Sequence, residues 1–195
     1  MPEFTTDDFD KNIPAWEALF DAQKWPRNRR YRVVEIGSFE GRSTTWIARN
    51  LLTPGSTLHC IDPWGSEAVF ERFKANIAEL PNADAVQVIR QRSDKALMTL
   101  GAQGLVAEFV YIDGCHFAPD VLTDLVLAFQ ILRPGGLIIC DDYLWEDAAF
   151  DHGDIRWRPK IAVDAFTTVF GARIKVPGRF PIRQVVIQKR LDAPG

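Results

Sequence analysis

The sequence has 195 residues, 47% hydrophobic and 25% charged, which is the make-up of a globular chain with interior for one sizeable core. Its formal net charge of -3 gives no electrostatic case for a nucleic-acid or membrane partner. No apolar run approaches the ~18 residues of a bilayer span, and the acidic start MPEFTTDDFD lacks the basic and then apolar stretch of a secretory signal.

No repeat, low-complexity tract or linker interrupts the chain, so a single domain over 1–195 is expected. Residues 1–30 read as an N-terminal extension, with a helix over 13–22 that carries Pro14 in its first turn. Lys24 to Arg30, with Pro26, reads as a connector. A strand–helix rhythm fills the core from 31 onward. Strands are expected at 31–37, 57–62, 85–90, 108–113 and 137–142, with helices at about 42–52, 66–79, 93–100 and 118–132. Short, β-branched runs with little alternation fit a parallel sheet buried on both faces. A helix at 159–170 then leads to RIKV (173–176), PGRFP and RQVVIQK (183–189). These read as an antiparallel hairpin turning near Gly178. The fold expected is therefore α/β, Rossmann-like and doubly wound, with a mostly parallel seven-stranded sheet and an antiparallel C-terminal hairpin.

Cys60, Cys115 and Cys140 lie in or just after apolar runs. Buried reduced thiols, and hence a cytoplasmic protein, are the plain expectation. Trp16, Trp25 and Trp46 read as packing residues, and His59 as a structural residue of its strand.

The first strand opens into EIGSFEGRSTTWIA. Gly37, Ser38 and Gly41 form a turn that lets the backbone approach a ligand at a helix N-terminus. Ser43 and Thr44 lie in the first helical turn, where hydroxyls and free N–H groups suit a carboxylate. Glu35 is placed to attract a cationic amine. Asp62, about two dozen residues on, stands where ribose-binding acids occur, and Trp64 is a candidate cover for adenine or substrate. The loop is neither G-x-G-x-x-G nor a P-loop, which counts against a dehydrogenase and a kinase. A nucleotide-free turn is the plain alternative.

Asp113 ends the fourth strand and Asp141–Asp142 the fifth. Acids converging at the carboxyl ends of strands repel unless neutralised, and a hard divalent cation such as Mg²⁺ suits that oxygen chemistry. Helix capping is the alternative for Asp141–Asp142. Asp120 and Asp124 read as surface or capping residues. His116, three residues after Asp113, has the chemistry of a proton acceptor near neutral pH, against the commoner reading of a surface histidine.

Together these residues resemble the class I S-adenosylmethionine-dependent methyltransferases. Within that class they look like the metal-dependent small-molecule O-methyltransferases, among them the macrolide-sugar and catechol enzymes. The resemblance rests on Asp113-Gly114-Cys115-His116, Asp124-Leu125, Leu132-Arg133-Pro134-Gly135-Gly136 and Asp141-Asp142-Tyr143, and runs from about Val33 to Lys189. It implies that Glu35, Gly37 and Ser43 hold the methionine end of S-adenosylmethionine, within the Gly37–Ser38–Gly41 loop. By the same resemblance Asp62 meets the ribose, and Ser93, beside Asp94, lies near the adenine. Asp113, Asp141 and Asp142 match the ligands of Mg²⁺ or another divalent cation, Asp113 also bordering the cofactor, and His116 matches the base. The implied partner is a small molecule with a hydroxyl to be methylated, and a homodimer is the family habit. The lid is expected from 1–30 and from 144–160, or from a partner subunit, and Trp145, Trp157, Arg156 and Arg158 are candidates for the substrate wall. The competing readings are an NAD-dependent oxidoreductase and a non-catalytic S-adenosylmethionine-binding domain.

Overall fold

The computed structural model describes residues 2–26, 28–180 and 183–191. Its elements are α1 (Ile13–Ala22), β1 (Arg32–Ile36), α2 (Arg42–Asn50), β2 (Thr57–Ile61), α3 (Glu67–Ala78), β3 (Val86–Ile89) and α4 (Ser93–Ala102), followed by β4 (Ala107–Ile112), α5 (Ala118–Ile131), β5 (Leu132–Cys140), α6 (Ala148–Asp151), α7 (Pro159–Val169), β6 (Ile174–Phe180) and β7 (Gln184–Lys189). The sheet order is β3-β2-β1-β4-β5-β7-β6. Pairing is parallel from β3 to β5 and antiparallel where β7 joins β5 and β6. This is the Rossmann-like, mostly parallel seven-stranded architecture expected from the sequence.

The strands read as unbroken apolar runs because both sheet faces are covered. In β1, Val33 joins Trp16, Trp46, Ile47 and Phe73 from α1–α3, while Val34 and Ile36 join Leu97, Leu125, Phe129 and Phe166 from α4, α5 and α7. Alternation along the strand sends successive side chains to opposite faces. It therefore turns Glu35 toward α2.

Two boundaries differ markedly from expectation. β5 begins at Leu132 rather than 137, because Leu132 pairs with Ala107 before Pro134–Gly136 shift the register. β6 runs through the expected turn to Phe180, with a register shift between Lys175 and Gly178. Pro181, the end of that expected turn, lies outside the described residues, as does Arg27 of the 24–30 connector. Between 144 and 160, α6 is capped by Asp147 and a 3-10 turn at Ile155–Trp157 by Asp154, each carboxylate accepting a backbone N–H at 3.0 Å.

Residues 2–12 are part of the fold rather than an appendage. Phe9 is buried against Trp16, Trp46 and Tyr111. Thr5 N–H donates to Glu40 at 2.7 Å, and Asn76 holds Glu3 at both its N–H and its carbonyl. Trp16, fully buried, makes edge-on contacts with five aromatic rings; such pairs contribute about 0.5–1.5 kcal/mol each beyond their buried area. Trp46 is likewise buried and Trp25 stacks on Tyr31, which bears out the packing roles. Among the described residues, no helix is long and apolar enough to cross a membrane.

Candidate active site

β1 and β4 are neighbours whose connections depart in opposite directions, and a crevice opens at their carboxyl ends, as in other open α/β sheets. The cavity there measures about 810 Å³ and is bordered by the glycine loop, Asp62, Ser93, Asp113, His116, Asp141, Asp142 and Trp145.

The loop depends on Gly37. Its φ is +85°, and a Cβ there would stand 2.0 Å from the carbonyl oxygen of Asp113. Only glycine lets the tips of β1 and β4 touch. Gly41 (φ +83°) caps α2, and Phe39 between them is exposed on the cavity rim. Asp62 ties this loop down, accepting from Phe39 N–H at 3.0 Å and Trp64 N–H at 2.7 Å. It borders the cavity with further lone pairs available.

Several expected roles change. Glu35 is fully buried and does not border the cavity. It accepts from Ser38 (2.7 Å), Ser43 (2.6 Å) and Thr44. Burial raises its pKa while those hydroxyls oppose the rise. It braces the loop from beneath, and the Ser43 and Thr44 hydroxyls expected to face a ligand carboxylate are occupied by it. Trp64 is buried against Phe70 and Phe73, its indole N–H donating to Phe39 at 2.8 Å, so it packs rather than covers a ligand. Cys115 is exposed and borders the cavity, unlike the buried Cys60 and Cys140.

Asp124 is buried rather than on the surface. One of its oxygens lacks a partner among the described residues, the carboxyl group is hydrogen-bonded to Ser93, and burial raises its pKa to about 7. Ser93 itself borders the cavity at the start of α4. Arg156 pairs with Asp154 and Arg158 with Glu146; neither borders the cavity. Trp157 packs on Phe117 and Phe150, leaving Trp145 as the tryptophan at the cavity wall.

Asp113 and Asp141 come together at the tips of β4 and β5. The Tyr111 hydroxyl lies 2.9 Å from Asp113 Oδ2 and 2.6 Å from Asp141 Oδ2. Tyr111 and Asp113 share a strand face, two residues apart. Asp141 Oδ2 also accepts from the side-chain amides of Gln184 (2.6 Å) and Asn12 (3.1 Å), and Gln184 in turn accepts from the Trp16 indole at 2.9 Å. Asn12, Tyr111 and Gln184 escaped the sequence reading. The hint was a glutamine and a tyrosine inside otherwise apolar strands.

Burial and then the charges of Asp141 and Asp142 push Asp113 well above the usual carboxylate range. Burial also raises Asp141, against the pull of Tyr111. A phenol has one proton to share between these two acids, so the pair needs another proton or a cation. Their hard oxygens fit a divalent cation. The third expected ligand, Asp142, borders the same cavity but is engaged differently: in a left-handed backbone (φ +56°) it pairs with His116 Nε2 at 2.9 Å. Among the described residues, no group of three or more His, Cys, Asp or Glu side chains stands as a ready metal cage, so the expected three-acid cluster is not assembled. His116 also packs on Trp145, ring centroids 4.2 Å apart.

Residues 34–143, more than half of the chain, match the family model described as a methyltransferase domain. An uncharacterised protein of Acanthamoeba polyphaga mimivirus is 30% identical over 131 residues, covering 66% of this chain and 54% of that protein, so the chain spans about half the length of this curated relative. Among solved structures, the O-methyltransferase TomG from Streptomyces achromogenes, in complex with S-adenosylmethionine (SAM), is similar with a TM-score of 0.65 and 24% identity over 91% of this chain and 77% of that one. MycE of the mycinamycin pathway, in complex with Mg, S-adenosylhomocysteine (SAH) and mycinamycin VI, is similar with a TM-score of 0.64 and 18% identity over 94% of this chain and 51% of that one. The glycine loop at the β1–β4 crevice, the acids at the neighbouring strand tips and the match across β1–β5 lead to one assignment: the chain belongs to the methyltransferase domain family and has the Rossmann-like fold of the class I, S-adenosylmethionine-dependent enzymes.

Proposed function

We propose that the protein transfers a methyl group from S-adenosylmethionine to a hydroxyl of a small molecule, with help from a divalent cation. The observation that carries this reading is the Tyr111-bridged pair Asp113–Asp141 beside the His116–Asp142 pair, on one wall of a cavity floored by the glycine loop. S-adenosylmethionine supplies an electrophilic methyl on a sulfonium, which departs as a neutral thioether. Asp113 and Asp141 would hold a cation such as Mg²⁺, which makes a bound hydroxyl more acidic; the Mg and SAH bound by MycE favour this assignment.

The chain's own residues do the rest. Gly37, Ser38 and Gly41 border the methionine end, with Glu35 and Ser43 bracing the loop there. Asp62 accepts the ribose hydroxyls and Ser93 sits by the adenine. Asp142 accepts from His116 Nε2–H, which fixes the ring and leaves Nδ1 with the lone pair. Nδ1 takes the substrate's hydroxyl proton as the oxygen bonds to the methyl carbon. Trp145 forms the substrate wall, and burial of Tyr111, Asp141 and Gln184 pre-orders the acids so that positioning supplies much of the rate.

Titration with S-adenosylmethionine and with NAD, each with and without Mg²⁺, tests cofactor choice; tighter binding of NAD would overturn the reading. In methyl-transfer assays across catechols and sugars, His116→Ala and Asp141→Asn are each expected to lower turnover about 100-fold, with SAH affinity retained by calorimetry. Full activity in either variant would contradict the assigned roles. EDTA is expected to stop turnover and spare SAH binding; undiminished turnover would remove the cation from the mechanism.

A further inference from the structure

Asp141 Oδ2 is gripped by two side-chain amides from distant parts of the chain, Asn12 at 3.1 Å and Gln184 at 2.6 Å. The residue immediately before each is a cation, Lys11 and Arg183, and both border the cavity. Two positive residues and the carboxylate thus border one cavity, Lys11 and Arg183 in chain positions next to the amides that hold Asp141.

Other arginines near the crevice are committed. Arg42 pairs with Asp10, and Arg92 with Asp94 and Asp120. Among the described residues, no carboxylate pairs with Arg183. Among the described residues Lys11 pairs only with Asp8, at 3.5 Å, with both side chains exposed, and such a pair contributes little. Cations at the mouth of a concave site, over acids in its depth, set up a field along the cavity. A ligand aligned with that field keeps its hydroxyl at the acids and its negative charge at the rim.

We propose that the substrate is a hydroxyl-bearing molecule with an oxyanion group, and that Lys11 and Arg183 hold that group. This rests on the methyl-transfer reading above and narrows its substrate class. A guanidinium fork suits either a carboxylate or a phosphate, so both belong in the test.

The full chain is first titrated calorimetrically with S-adenosylhomocysteine. With that ligand and Mg²⁺ present, two matched pairs follow: 3,4-dihydroxybenzoate against its methyl ester, and glucose 6-phosphate against glucose. In at least one pair the anion is expected to bind about tenfold tighter than its neutral partner, a preference that Arg183→Met or Lys11→Met reduces to about twofold or less. Arg156→Met, off the cavity, is expected to keep it. Preference for a carboxylate or for a phosphate identifies the oxyanion.

Equal affinities in both pairs, no binding by either member of either pair, or a preference that survives both substitutions overturns the proposal and leaves the methyl-transfer reading standing. If Arg183→Met and Lys11→Met instead weaken S-adenosylhomocysteine, the cations serve the cofactor's own carboxylate and the proposal fails. Failure of the wild-type chain to bind S-adenosylhomocysteine overturns both readings.

Discussion

Two buried acids behave differently because their surroundings differ. Burial raises both, but Glu35 has three hydroxyls that oppose the rise, whereas Asp124 has one oxygen without a partner among the described residues and its pKa is raised to about 7. A carboxyl group raised in the fold favours its neutral form there. Its contribution is complete below the unfolded value near 3.8 and is lost as the pH climbs through about 7. Asp124→Asn is therefore expected to stabilise the protein at pH 8, by on the order of 2–3 kcal/mol, and to change little at pH 4. Urea midpoints at the two pH values check this, and an equal effect at both would refute it.

Gly37→Ala is expected to cost about 3 kcal/mol or more, or to prevent folding, because a methyl group has no room beside the Asp113 carbonyl. A thermal midpoint within a degree or two of the wild type would show that the loop gives way. Single residues at strand ends, such as Asp62, Asp113 and Asp141, were legible because position along a strand implies position at the crevice. Asn12 and Gln184 were not, since nothing local announces that they meet the same carboxylate. Trp64 was misread because φ +41° and a bond to Phe39 turn its ring inward.

At the scale of elements, α1 matters beyond its own helix. Its Trp16 supports β4 through Phe109 and Tyr111, and its indole N–H orients Gln184. Trp16→Ala is expected to destabilise the protein by about 3–5 kcal/mol and to lower turnover further by freeing Gln184. Trp16→Phe restores most of the packing but not the hydrogen bond. The difference between the two in denaturation and in kcat separates those contributions, and identical kcat values would show that the hydrogen bond is idle.

Apart from the short α6, which lies in a stretch read as a loop, each helix and strand was readable from apolar periodicity, and the remaining errors fell at irregular ends. Pro134–Gly136 lie inside β5 despite their turn-like composition because a pairing on either side flanks them. The 144–160 segment gave aromatic and basic residues without order, because ring-on-ring contacts among Trp145, Phe150 and Trp157 leave no periodic trace in sequence.

For the molecule as a whole, the seven-stranded sheet followed from the strand–helix rhythm, since a parallel sheet covered on both faces leaves few other arrangements. What the rhythm withheld was the closure of the site, which depends on long-range contacts. A ligand that binds only the folded state raises stability by mass action. At 100-fold excess over its dissociation constant, S-adenosylhomocysteine is expected to add about 2.7 kcal/mol, read as a rise in thermal midpoint; an unchanged midpoint at that excess would argue against the assigned cofactor.

The grip on Asp141 unites segments separated by 129 and by 43 positions, and its N-terminal side is anchored by Phe9 and Trp16 in the aromatic cluster over β4. A contact tied to the main core in this way opens only when that core does. On warming, methyl transfer and helical signal are thus expected to vanish together, and activity lost at a clearly lower temperature would show the amino-terminal arm peeling away alone.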